Sequence, residues 1–203
     1  MRAVDVHFDY SSPYAYLGVS QIERLARETG AEVRWRPFLL GALFRAIGTP
    51  LVPIHEMPVA KRRYQRVELS RWAERWGVPF QFNSHFPLRT VDALRLTLIA
   101  PEEKRSALIA RLMRGAWAQD EDLAERSVLE QAANEVGLPA SLAPRVSDPE
   151  TKALLQAATE AAIAAGIPGA PSFVVGGEIY WGQDRLQFVE AALRGRPPGI
   201  SRA

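Results

Sequence analysis

Apolar and polar side chains alternate over residues 3–8, where Val, Val and Phe occupy every second position. A period of two is typical of a half-buried strand. Over residues 13–28 the apolar positions take helical spacing, and Gly30 follows as a helix stop. Another strand-like run covers residues 32–38. The opening of the chain therefore predicts two parallel strands joined by a right-handed helical crossover.

The middle of the chain keeps helical spacing, with glycine and proline at the breaks. Ser127 and Glu130 form a capping-box pattern, in which their side chains bond the first free N–H groups of a helix. Asp148 followed by Pro149 is typical of another helix start. The predicted helices cover residues 59–76, 89–99, 104–118, a segment from Ser127 to Gly137 and a segment from Asp148 to Gly166.

The period changes again in the last part of the chain. Strand-like runs at residues 172–175 and 178–180 flank a Gly-Gly turn, which predicts a hairpin. A helical pattern follows over residues 184–193. The chain thus ends in a β-β-α unit.

The order of these elements predicts an α/β protein, a thioredoxin-like fold with a large all-helical insertion. We expect residues 1–40 and 168–203 to form the thioredoxin-like domain. Residues 41–167 are expected to form the helical insertion domain.

Composition narrows the function classes. At 203 residues and a net charge of +2, the chain offers no patterned basic surface for nucleic acid. Its apolar runs are shorter than the ~18 residues of a membrane-spanning helix, and its first residues lack a secretory-signal layout, so we expect a cytoplasmic protein. It has no cysteine, which excludes disulfides and dithiol redox chemistry. The histidines lack metal-ligand spacing, so no metal site is predicted.

Three segments are candidates for chemistry because the predicted fold brings them together. Ser11-Ser12-Pro13 lies where the first strand meets a helix N-terminus, whose free N–H groups favour negative charge. A serine there can donate a hydrogen bond to the thiolate of another molecule. The alternative is an ordinary serine N-cap before proline.

The second segment is the proline-rich loop before the returning strand. In thioredoxin-like folds the proline at this place is cis, and it presents the backbone of the preceding residue to the helix terminus. We therefore predict a cis bond between Ala170 and Pro171. The alternative is an ordinary proline-rich loop.

The third segment, residues 180–185, joins the hairpin to the last helix. Its amide N–H groups suit a carboxylate, and Asp184 suits an ammonium group. The γ-glutamyl end of glutathione carries both groups. The alternative is that Asp184 only caps its own helix.

Together these segments resemble the 2-hydroxychromene-2-carboxylate isomerases, a family of the disulfide-oxidoreductase superfamily closely related to kappa-class glutathione transferases. The resemblance covers nearly the whole chain, and its specificity comes from the order and spacing of several short motifs. These motifs are Phe8-Asp9-Tyr10-Ser11-Ser12-Pro13-Tyr14, Ala46-Ile47-Gly48, Arg71-Trp72-Ala73, Gly77-Val78-Pro79, Gly169-Ala170-Pro171-Ser172-Phe173 and Trp181-Gly182-Gln183-Asp184-Arg185.

The resemblance implies glutathione-dependent isomerisation of 2-hydroxychromene-2-carboxylate to trans-o-hydroxybenzylidenepyruvate, in the degradation of naphthalene-type aromatics, by a homodimer. Glutathione is the implied cofactor, and Ser12, directly before proline, is the implied thiol-activating residue. The implied glutathione contacts are Ser12, Ala170, Pro171, Trp181, Gly182, Gln183 and Asp184.

On the substrate side, the resemblance implies a lining that includes Phe44, His55 and Phe86. Phe44 departs from the family, whose naphthalene-pathway members have a lysine there. Arg45 or the basic run at residues 61–66 could then attract an anionic substrate. The alternative for the basic run is that it simply forms a solvent-exposed helix face. A kappa-like transferase or peroxidase, and a catalytically silent binding module, are the alternative functions.

Overall fold

A computed structural model describes residues 2–196. Its sheet has four strands in the order β2-β1-β3-β4. β1 and β2 are parallel, whereas β3 is antiparallel to both of its neighbours, β1 and β4. The strands are β1 Ala3–Phe8, β2 Glu32–Pro37, β3 Ser172–Val175 and β4 Glu178–Trp181. This is the β-α-β and β-β arrangement that the alternating pattern predicts.

The helices follow the predicted order, with one short helix after β2 that the sequence pattern did not predict, and six of those described lie between β2 and β3. Within the described residues they are α1 Pro13–Thr29, α2 Leu40–Ala46, α3 Val59–Trp76, α4 Val91–Ile99, α5 Glu102–Ala118, α6 Arg126–Glu135, α7 Pro149–Ala164 and α8 Leu186–Leu193. None of them is long and apolar enough to cross a membrane.

One hydrophobic core joins the sheet to the helical segment. Val6 and Phe8 of β1 and Leu17 of α1 are fully buried together with Leu94 of α4 and Trp117 of α5. The indole N–H of Trp117 also donates to the backbone carbonyl of Tyr10, at 2.8 Å. The helices between β2 and β3 therefore help to fix the end of β1 where α1 begins.

The capping-box prediction at Ser127 is wrong. α6 begins at Arg126 with Glu125 as its N-cap, and no side chain caps that end. The side chain of Asp122 accepts from the N–H of Ala124 at 2.9 Å, and the N–H of Glu125 donates to the Asp122 carbonyl. This local turn ends at Glu125, so the helix starts there and Ser127 falls inside its first turn.

The last helix also begins later than predicted. Residues Gln183–Arg185 form a separate 3₁₀ turn, and the α-helix starts at Leu186. Gly182 has a φ of 109°, which favours glycine, and it ends β4 with a sharp change of direction. Asp184 therefore lies in the turn rather than at the end of an α-helix.

α1 lies unusually close to the loop before β3. A Cβ atom on Gly18 would stand 3.0 Å from the Phe173 ring and 3.2 Å from the ring of Pro171. Only glycine allows this approach without a shift of the neighbouring side chains. The sequence thus lets α1, which carries Ser12 at its N-terminus, pack directly on the proline loop.

Candidate active site

Ser12 has two hydrogen bonds at the N-terminus of α1. Its Oγ accepts from the N–H of Ala15 at 3.1 Å, as an N-cap does, and its hydroxyl donates to the carbonyl of Ala170 at 2.8 Å. The side chain is almost buried, with 6% of the residue exposed. The N-cap reading is therefore correct, and the same hydroxyl also reaches the second candidate segment.

The second and third segments meet as well. The bond between Ala170 and Pro171 is cis, as predicted. The N–H of Gly182 donates to the carbonyl of Pro171 at 2.9 Å. The Trp181 indole lies against Gly169, where a Cβ atom would come within 2.8 Å of its Nε1. The structure therefore brings all three segments together at one place.

Asp9 is a buried member of this site that the sequence analysis did not single out. Its Oδ1 accepts from the N–H of Ser11 at 3.0 Å and from the Thr90 hydroxyl at 2.7 Å, and its Oδ2 accepts from the N–H of Leu40 at 2.8 Å. Burial raises the pKa of the Asp9 carboxyl, while these hydrogen bonds act in the opposite direction. The position of this aspartate close to the Ser-Ser-Pro motif was the sequence feature that could have identified it as a site residue.

Asp184 does not cap a helix. No side chain caps the 3₁₀ turn or α8, and the Asp184 carboxylate instead accepts from Arg185 at 2.8 Å. The N–H groups of Gln183 and Asp184 have no acceptor within residues 2–196. The turn thus offers two free N–H groups beside a carboxylate, but without the dipole of a long helix behind them.

A cavity of about 1300 Å³ opens over these segments. Its wall includes Ser11 and Ser12, the backbone around Ala170, and every proposed glutathione contact of the third segment. Large apolar side chains line the rest of it. Among them are Tyr14, Phe44, Leu51, Ile54, Met57, Trp72, Phe82, Phe86 and Trp181. The cavity therefore combines a polar end at α1 with a wall of aliphatic and aromatic side chains.

Two of the three predicted substrate-side residues, Phe44 and Phe86, line this cavity. The Phe86 ring packs on Phe82, with the ring centroids 5.1 Å apart. His55 is not part of the lining. It is exposed, and its ring stands edge-on to that of Phe86 at 6.1 Å. It thus supports the wall from outside, while Pro53 and Ile54 of the short 3₁₀ turn Pro53–Glu56 line the cavity.

The cations at the cavity differ from those expected. Arg45 does line it, but the basic side chains of residues 61–66 do not, and that run contributes only Gln65 to the lining. In that run the Arg66 guanidinium lies 5.0 Å from the centroid of the Phe82 ring, on the side chain that forms the wall. Arg89, Arg95 and Arg185 contribute to the lining in addition. Within residues 2–196, no group of three or more His, Cys, Asp or Glu side chains could hold a metal ion.

A family model described as a DSBA-like thioredoxin domain matches residues 3–194. The chain belongs to the DSBA-like thioredoxin family. This membership confirms the predicted α/β, thioredoxin-like fold with its helical insertion. Because this DSBA-like chain has no cysteine, it lacks the side chain that dithiol chemistry in such a fold requires.

Curated relatives point to a particular branch of the DSBA-like family. The chain is 29% identical to a 2-hydroxychromene-2-carboxylate isomerase of Sphingobium xenophagum, over 95% of this chain and 98% of that protein. It is 28% identical to glutathione S-transferase kappa 1 of Rattus norvegicus, over 95% and 91%. A solved 2-hydroxychromene-2-carboxylate isomerase superimposes with a TM-score of 0.84 at 25% identity, covering 94% of each chain. These findings confirm the predicted resemblance and the prediction of an enzyme.

Proposed function

We propose that this protein is a glutathione-dependent isomerase that interconverts 2-hydroxychromene-2-carboxylate and trans-o-hydroxybenzylidenepyruvate. The observation that carries the proposal is the hydrogen bond from Ser12 to the carbonyl of Ala170 at the polar end of a cavity with aliphatic and aromatic walls. This hydrogen bond shows that a hydroxyl donor, the N-terminus of α1 and the proline loop lie next to one another. The similarity to 2-hydroxychromene-2-carboxylate isomerases supports the choice of this reaction.

The residues present fit glutathione. The N–H groups of Gln183 and Asp184 have no acceptor in the described part of the chain and suit the γ-glutamyl carboxylate, while the Asp184 carboxylate suits the ammonium group. The Ala170 N–H, which also finds no acceptor within residues 2–196, suits the cysteinyl backbone. Trp181 and Pro171 complete the walls around these groups.

Bound glutathione would supply a thiolate for reversible addition to the conjugated double bond, which, together with opening of the hemiketal C–O bond, would allow rotation to the trans product before the thiolate leaves. Ser12 stabilises the thiolate in preference to the thiol, because its hydroxyl donates and the N-terminus of α1 favours negative charge. To do so the hydroxyl turns away from the Ala170 carbonyl, which lies within the same site.

The aromatic side chains give the substrate ring an apolar surface and exclude water during the rotation. Phe44 and Phe86 form part of this surface, and Trp72 extends it. Apolar contact of this kind favours flat aromatic substrates over extended polar ones. A homodimer and a role in aromatic degradation stay predictions that come from the resemblance, and a cytoplasmic location stays a prediction that comes from the composition.

The test is a glutathione titration followed by turnover of 2-hydroxychromene-2-carboxylate, with the product identified from its ultraviolet spectrum. We expect saturable glutathione binding and a rate that requires glutathione but leaves its concentration unchanged at the end. Conversion that proceeds equally well without glutathione would contradict the proposal.

The kappa-class relative supports a second candidate, a glutathione transferase or peroxidase that acts on another electrophile. The same experiment separates the two functions, since a transferase or peroxidase consumes glutathione in proportion to product. Stoichiometric loss of free thiol would favour this second function.

A further inference from the structure

Arg95, on α4, is the least exposed of the arginines that line the cavity. Its side chain is 20% exposed, whereas Arg45, Arg89 and Arg185 are exposed residues. Attraction between charges is screened much less by salt and water when one of them is partly buried. Arg95 is therefore the cation of the cavity wall whose charge is least screened by solvent.

The hydrogen bonds of Arg95 leave most of its guanidinium available. Nη1 donates to Oδ1 of Asp92, one turn earlier, at 3.1 Å. Nε is buried and has no acceptor within the described residues. A buried donor without an acceptor is unfavourable, and a carboxylate in the cavity satisfies it if the Arg95 side chain shifts towards the cavity. Asp92 orients the group but does not satisfy it.

The position of Arg95 along α4 is tied to the Ser12 junction. Thr90, directly before α4, donates to the same Asp9 oxygen that accepts from the N–H of Ser11. Arg95 follows Thr90 by five residues, about 7.5 Å along a helix axis. The start of α4 is therefore held near the Ser12 junction, and Arg95 lines the same cavity more than one turn further along α4.

We propose that Arg95 binds the carboxylate of the substrate and makes the cavity selective for anionic over neutral aromatic compounds. This inference rests on the proposed function, because it assigns the carboxylate of that substrate class to a residue. Phe44 on the substrate side carries no charge, so Arg95 supplies a cation to the same cavity from a different element.

The test compares binding of trans-cinnamate with that of its neutral analogue trans-cinnamamide, through quenching of tryptophan fluorescence. Trp72 and Trp181 line the cavity and report on both probes. We expect Arg95→Gln to weaken cinnamate binding about 10-fold to 100-fold, in line with the loss of a charge-assisted hydrogen bond. Its affinity for cinnamamide should change less than about twofold, since no charge is involved.

Arg89→Gln is the matched control, because Arg89 lines the same cavity but is exposed. We expect it to weaken cinnamate binding less than about threefold. Normal glutathione binding by Arg95→Gln shows that the variant is folded. Equal losses for both probes, a larger loss in Arg89→Gln, or a parent protein that does not prefer cinnamate would each overturn the inference. The measurement needs no turnover. Its result therefore does not depend on whether the proposed glutathione-dependent reaction takes place.

Discussion

At the scale of single residues, one hydroxyl group at the start of α1 has two tasks. Ser12 caps the helix through the N–H of Ala15 and donates to Ala170 across the site. Ser11, its neighbour, contributes a backbone N–H to Asp9 and does not cap the helix. The two serines of the motif are therefore not equivalent.

We expect Ser12→Ala to lower kcat/KM about tenfold to a hundredfold, because one hydrogen bond to a charged group contributes roughly 1.5–3 kcal/mol. The pKa of the bound glutathione thiol, followed by thiolate absorbance, should rise in the same variant. Ser11→Ala should retain more activity. The loss of the N-cap costs about 1 kcal/mol of stability in addition.

Ser12→Thr is the matched control for that capping effect, since threonine keeps a hydroxyl at the N-cap. It should retain much of the stability and of the lowered thiol pKa. Unchanged kcat/KM in Ser12→Ala would remove this residue from the mechanism.

Asp184 allows a second prediction at this scale, because its carboxylate caps no helix in the structure. Asp184→Asn should weaken glutathione binding and leave turnover at saturating glutathione nearly unchanged, since the γ-glutamyl ammonium is remote from the reacting sulfur. The melting temperature should stay close to that of the parent. Isothermal titration and thermal unfolding test both points, and a destabilised variant with normal affinity would restore the capping role.

At the scale of elements, the site depends on contacts between segments that are distant in the sequence. Asp9 accepts from the N–H at the start of α2, from Thr90 before α4 and from the loop before α1. The seven-residue α2 has no capping side chain of its own, so a carboxylate from the end of β1 takes that place. This dependence explains why the pattern of residues 40–46 alone does not predict a helix.

We expect Asp9→Asn to destabilise the protein by about 1–3 kcal/mol, because one of three donors would then face an amide nitrogen instead of an acceptor. Substrate KM should rise more than glutathione affinity falls, since α2 and α4 carry the substrate side. Urea unfolding and steady-state kinetics measure the two effects. Thr90→Val, which removes only one of the three donors, should have a smaller effect, and equal effects would contradict this account.

At the scale of the whole molecule, the buried titratable groups set the response to pH. Burial lowers the pKa of His7 to about 4, with Arg36 acting in the same direction and Asp5 opposing it. His7 is therefore neutral in the folded protein over a range in which the unfolded chain binds a proton. Its contribution to stability is present above the ordinary pKa of about 6.5 and is lost as the pH falls towards 4.

We expect His7→Phe to lose less stability than the parent when the pH falls from neutrality to about 4.5, because the variant has no imidazole to protonate. The phenyl ring keeps an apolar neighbour for Phe38, whose centroid lies 6.4 Å from that of His7. Urea unfolding at both pH values gives the difference. The raised pKa of Asp9 has the opposite effect, because it favours the folded state as the pH falls. Asp9 is present in both proteins, so its effect cancels in the comparison. Parallel stability curves would show that His7 has no such role.

The sequence by itself determined the strands, nearly all helices and the three segments that meet at the site. These features depend on local periodicity, on glycine and proline, and on motifs such as Ser11-Ser12-Pro13, each of which acts over a few residues. The absence of cysteine in the sequence likewise excludes dithiol chemistry.

Only the tertiary structure decided how the site is completed. In the structure His55 lies outside the cavity lining, and Asp9 accepts hydrogen bonds from three elements. Arg95 lines the cavity, although no local pattern distinguishes it from the other arginines. The tertiary structure also moved the starts of α6 and α8, where side-chain turns and a glycine override helical periodicity. Burial, and hydrogen bonds between residues dozens of positions apart, depend on which elements pack together, and that information is not local to any segment of the chain.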